Sequence, residues 1–199
     1  MAPSVSPDAP SGKREALIDA ALDLFNREGY RAVVIDTLLQ EAGVAKMTLY
    51  KHFGSKEELI RAVLERRAET IAAEITARLE AVPADVPNRP RERLLAVFAW
   101  LEDWLRSPAF HGCIFVKAAG EYPHPDDLPR RAAEAFKATC RVLLEHLCGD
   151  LACPRPALLA RQLELLIEGA ASVAYLRHEP EAGAWARQAA MVLIEAACP

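Results

Sequence analysis

The chain lacks the signals that mark membranes, secretion and catalysis. No stretch approaches the roughly 18 consecutive apolar residues of a spanning helix, so no membrane association is expected. The opening residues hold no apolar segment of the kind found in a secretory leader, and a cytoplasmic setting is expected. The five cysteines, Cys113, Cys140, Cys148, Cys153 and Cys198, are odd in number and show no C-x-x-C pair. Free thiols in a reducing compartment fit them better than a disulfide framework. His111 and Cys113 stand two apart, as do His146 and Cys148. On a helix such neighbours point in roughly opposite directions, so no metal is expected. Also missing are G-x-S-x-G, a Walker loop, H-E-x-x-H and a glycine-rich dinucleotide fingerprint, which leaves no ground for an enzyme. No segment alternates apolar and polar residues for long, so helices are the expected regular element.

One further absence is local. Residues 42–56 contain no Asp or Glu, while Lys46, Lys51, Lys56 and His52 are present. A surface that approaches phosphates gains from cations and loses from nearby carboxylates. The net charge of -4 argues the other way until the chain is divided. Residues 1–56 hold seven basic and seven acidic side chains, leaving 17 and 21 for the remainder. The overall charge therefore dilutes a local basic face without contradicting it. Within 37–56, an apolar-spaced segment carries Leu38, Leu39 and Ala42, Gly43 suits a left-handed turn, and a short helix over 45–53 ends at Gly54. This is a helix-turn-helix pattern with the second helix as the recognition element.

In order, the chain starts with a tail at 1–11 that holds Pro3, Pro7 and Pro10 and little to pack, and is expected to be disordered. A first helix over 12–28 bears the stripe Leu17, Ala20, Ala21, Leu24 and Phe25 and stops at Gly29. Lys13 and Arg14 at its start are either a solvated end or cations that meet a phosphate backbone. Asp36 or Thr37 is the expected cap of the second helix. Ser55 and Glu58 form a capping box that opens a fourth helix over 55–81, long enough to join two domains. The linker at 82–91 carries Pro83, Pro87 and Pro90. Further helices are expected over 91–106, 109–120, 129–147, 156–178 and 181–197. The expected fold is all-α with about nine helices, a helix-turn-helix domain over 12–56 and a second helical domain over 57–199.

The segment AGVAKMTLYKHFGSKEEL, with the first helix and its terminal Gly29-Tyr30, resembles the DNA-binding domain of TetR-type bacterial transcriptional regulators. The resemblance covers about 13–64. It implies that Lys46, Met47, Thr48, Tyr50, Lys51 and His52 lie in or beside the major groove and that Lys56 touches phosphate. Thr37 is grouped with these DNA-facing residues. Three positions depart from the pattern: Val34 and Ala45 stand where caps are usual, and Leu39 stands where a small residue is common. Each missing cap is worth about 1 kcal/mol. The segment GCIFVKAAGEYP also resembles one branch of the family.

Each candidate has a plainer alternative. Leu49 and Phe53, four apart, suit a core. Tyr50 is a packed aromatic or a phosphate contact, Lys51 a solvated charge or a phosphate contact, and His52 a phosphate donor or a cap through Gly54. Lys46 and Thr48 sit where base edges are usually reached. Trp100, Trp104, Phe115, Tyr122 and Tyr175 are core residues or, with Glu121, the lining of a pocket for a small apolar effector. Glu121 is either paired with an Arg or turned to a ligand. The resemblance implies that the last two helices, rich in small residues, pair with their copies through Leu159, Leu163, Leu166, Ala170, Ala189, Val192 and Leu193; alternatively they close the core of one chain. The expected function is a ligand-responsive repressor that binds a palindromic DNA operator as a homodimer, with no cofactor beyond that effector. The competing reading is a helical ligand-binding or adaptor protein without DNA.

Overall fold

The computed structural model describes residues 10–198. Within them the chain forms nine α-helices and no strand: α1 Pro10–Glu28, α2 Ile35–Ala42, α3 Lys46–His52, α4 Lys56–Glu80, α5 Arg89–Arg106, α6 Ile114–Glu121, α7 Leu128–Gly149, α8 Pro156–Arg177 and α9 Ala182–Ala197. Most of the tail expected at 1–11 lies outside the described residues. The first helix begins at Pro10, two positions early, and a first turn accepts proline because its missing N–H would have no partner there. α6 starts five residues later than expected. Gly112 has φ +90, a left-handed conformation that ends any helix running in from Ala109.

By contact the chain divides into two compact units. The first takes the described residues up to Glu69 together with Ile114–Phe136. The second takes Thr70–Cys113 and the chain from Lys137 onward. α6 and the opening of α7 thus belong with the helix-turn-helix, a membership that linear order does not announce.

The first unit is built on the α1 stripe. Leu17, Ala21 and Phe25 are fully buried, and Leu38, Leu39, Leu49, Phe53, Leu59, Ile60, Val63 and Leu64 are buried with them. Burying one such Leu or Phe is worth about 1.5–3 kcal/mol, so this cluster outweighs the weak propensity of two helices of eight and seven residues. Tyr30 is also fully buried, 5.0 Å from Phe25 between ring centroids, and its hydroxyl donates to the Ile114 carbonyl at 2.9 Å. Phe115 stacks on Phe136 at 3.8 Å.

In the second unit, α9 packs against α5 and α8. Leu94, Leu95, Phe98 and Leu101 of α5 are buried, as are Leu159, Leu163 and Ala170 of α8 and Ala186, Ala190 and Ile194 of α9. The small residues let the helices approach closely: a Cβ on Gly183 would come within 2.7 Å of the Glu102 Cα. Trp100 and Trp104 stack at 5.5 Å, and Phe110 meets Trp104 edge-on at 4.9 Å. Among the described residues no helix is long and apolar enough to cross a membrane.

Candidate nucleic-acid interface

The turn between α2 and α3 is made by Gly43, at φ +64, whose N–H reaches the Gln40 carbonyl at 3.2 Å while the Val44 N–H reaches the Leu39 carbonyl at 3.1 Å. α3 then buries one side. Leu49 is 0% exposed and Phe53 is 4% exposed. The opposite side faces outward: Met47 is 79% exposed, Tyr50 is 42% exposed, and Lys46 and Lys51 are exposed with them. Three- and four-residue spacing explains the split, since 46, 47, 50 and 51 share one helical face and 49 and 53 another. Thr48 and His52 lie at the boundary, half-buried. Thr37 is exposed on α2. The outward face of α3 thus carries two lysines and no carboxylate; Asp36 of α2 stands 3.9 Å from the Lys46 ammonium, an exposed pair of little strength.

Several expectations need correction. α2 is capped at Val34, with no side-chain bond, so neither Asp36 nor Thr37 caps it. The apolar pattern carries the helix back to Ile35, and Asp36 lies in the first turn, where its charge suits the helix dipole. The Gly54 N–H is taken by the Glu58 carboxylate at 2.8 Å, which leaves no cap there for His52. That bond and the one from the Glu58 N–H to the Ser55 Oγ at 3.1 Å form the capping device that opens α4. Arg14 lies over the Phe53 ring at 5.4 Å and pairs with Glu15 at 3.1 Å. The Lys56 ammonium points inward, donating to the Tyr30 and Val33 carbonyls at 2.5 Å each. Burial pushes its pKa down. In this structure its ammonium holds the turn between α1 and α2.

The six pocket candidates are divided between the units. Glu121 lies in the first, where its two carboxylate oxygens accept the Tyr30 N–H at 2.9 Å and the Arg31 N–H at 2.6 Å. Two backbone amides, and not an arginine side chain, meet that carboxylate. Tyr122 is buried beside it under the Arg31 guanidinium at 5.7 Å, and burial pushes its phenol up to about 12. Phe115 is core. Trp100, Trp104 and Tyr175 remain in the second unit, with the Trp100 indole N–H donating to Glu74 at 2.8 Å. The dimer candidates divide as well. Leu159, Leu163 and Ala170 are buried inside their own chain, Leu166, Ala189 and Leu193 are half-buried, and Val192 is 66% exposed. Leu158, Leu165 and Leu176 are among the exposed apolar side chains of α8, and Trp185 joins Val192 among those of α9. Position 165 shares a face with 158, one heptad away, a signal the sequence held but which small-residue counting hid.

Residues 17–63 match the model of bacterial regulatory proteins of the tetR family. A putative TetR transcriptional regulator from Streptomyces avermitilis is 31% identical, with a TM-score of 0.80 over 93% of this chain and 97% of that one. The chain belongs to the TetR family. A TetR-family regulator from Streptomyces coelicolor is 29% identical, with a TM-score of 0.87 over 95% of this chain and 97% of that one. The HTH-type transcriptional activator FasR of Mycolicibacterium smegmatis is 36% identical over 90 residues, which span 45% of this chain and 41% of FasR. The protein is therefore a DNA-binding transcriptional regulator of a family whose members are not enzymes and act as dimers.

Proposed function

We propose that this TetR-family protein is a cytoplasmic, ligand-responsive repressor that binds a palindromic operator as a homodimer. The observation that carries the reading is the outward face of α3, cationic and free of carboxylates, on a helix anchored by Leu49 and Phe53. In this reading each α3 enters one major groove, and the two half-sites lie about 34–36 Å apart. Lys46 and Thr48 address base edges, while Tyr50 and Lys51 set the register on phosphates, with Met47 and His52 beside them. Leu158, Leu165 and Leu176 of α8, with Trp185 and Val192 of α9, cover one another across the dimer; their exposure supports this face over the buried set. A small apolar effector is accommodated in the second unit beside Trp100 and Trp104, and α4, 25 residues long, carries the response. Repression is relieved when the effector binds one arrangement of the dimer better than the other.

A gel shift against a duplex from the protein's own promoter region tests the reading. Affinity should fall steeply with salt, and Lys51→Ala should flatten the slope of log affinity against log salt by about one. Absence of specific, salt-sensitive binding favours the adaptor reading without DNA, whereas specific binding unchanged in both Lys51→Ala and Tyr50→Phe overturns the assignment of those two residues.

A further inference from the structure

The turn between α1 and α2 is held from outside. Glu121 meets the amides of Tyr30 and Arg31, and the Arg31 Nε returns a bond to the Glu121 carbonyl at 3.0 Å. Lys56 meets the carbonyls of Tyr30 and Val33. Lys117, also on α6, donates to the Asn26 carbonyl at 2.7 Å, near the end of α1. Space for the carboxylate exists because residue 29 is glycine: at φ +83 it turns the chain, and a Cβ there would stand 2.9 Å from the Glu121 Oε1. Downstream, α2 follows Val34, an N-cap residue without a side-chain bond, and is only eight residues long. A helix this short is directed by what holds it, here the buried Leu38 and Leu39 together with the turn that feeds it.

We infer that Glu121 is a positioning residue for DNA binding: by clamping the Tyr30 and Arg31 amides, α6 sets the direction in which α2, and after it α3, leaves the turn. The inference rests on the DNA-binding reading above. Two N–H donors converge on the site, and a carboxylate accepts both, whereas a carboxamide turns its own donor toward one of them. The chain enters α6 directly from Cys113 of the second unit and returns to that unit only at Lys137, inside α7.

The experiment compares the full chain with Glu121→Gln on the promoter duplex and on a scrambled duplex of equal length, at a temperature where thermal unfolding shows both proteins folded. Glu121→Gln should bind the promoter duplex about tenfold more weakly, the loss expected of one charge-assisted hydrogen bond, and the scrambled duplex within about twofold. Equal promoter affinity, or equal loss on both duplexes, overturns the inference. Amide exchange in the wild-type chain decides independently of whether the variant folds. Protection of the Tyr30 and Arg31 amides should rise with the promoter duplex and not with the scrambled one; amides that stay unprotected overturn the clamp. A wild-type chain with no promoter preference overturns the DNA-binding reading and this inference together, whereas a preference in Glu121→Gln equal to that of the wild type overturns the inference alone.

Discussion

Glu15 and Arg66 show how a charge acquires meaning only through its partner. The Arg66 guanidinium hydrogen-bonds the Glu15 carboxylate from α4 and holds its pKa below the usual carboxylate range, ahead of the opposing effect of burial. A carboxylate depressed in the folded state adds stability above its unfolded value and loses it as pH falls through the folded value. Glu15→Gln should therefore be less stable than wild type at neutral pH, and the two melting curves should converge below about pH 4. A gap that stays constant from neutral to acid would remove the pair from the list of stabilising contacts. The same dependence on partners explains what the sequence concealed at single positions. Lys56 stands where the family resemblance implies a phosphate contact, and nothing beside it in sequence reveals the two carbonyls that hold its ammonium. Its carbonyl partners lie 26 and 23 residues away. Glu121 finds its amides 91 and 90 residues away, a separation that no local pattern encodes.

Helices were the legible level. Apolar spacing marked nearly every one, because a stripe that must be buried repeats with the helical period. Their ends were less legible where backbone conformation decides, as at Gly112 before α6 and at His178, which closes α8 at φ +57. The face that each helix turns inward was also harder to read. α8 is apolar on several sides, so Leu159 and Leu163 could not be told from Leu158 and Leu165 until the packing of α5 and α9 was known. Helix starts yield a prediction. Val34 (φ -86, ψ 153) and Ala45 (φ -75, ψ 150) already hold the extended N-cap conformation but have no side-chain acceptor. Val34→Ser and Ala45→Ser should each add about 1 kcal/mol and raise Tm by roughly 2–4 °C in a chain of this size. Calorimetry that finds no gain in either would mean that the free amides are already satisfied by water.

At the level of the whole molecule, the outward leucines are the features that a lone chain leaves unexplained. Leu165 and Leu176 are each 72% exposed. Leu165→Glu should place charges of like sign at the centre of the proposed α8–α9 face. Sedimentation is expected to show a monomer at concentrations where the wild type is a dimer, and promoter affinity should fall with it. An unchanged dimer would move the interface elsewhere on the surface.

The stitching of α6 into the first unit bears on how this protein could be taken apart. Cutting inside α4, after Glu69, would release a fragment in which the helix-turn-helix motif is complete. Such a fragment would lack the acceptors for the Tyr30 and Arg31 amides and for the buried Tyr30 hydroxyl, because all three come from α6. Circular dichroism should show residues 10–69 alone losing much of their helical signal and regaining it when a peptide of residues 114–136 is added. Transplanting this motif onto a foreign effector module would therefore require carrying that distant segment along with it.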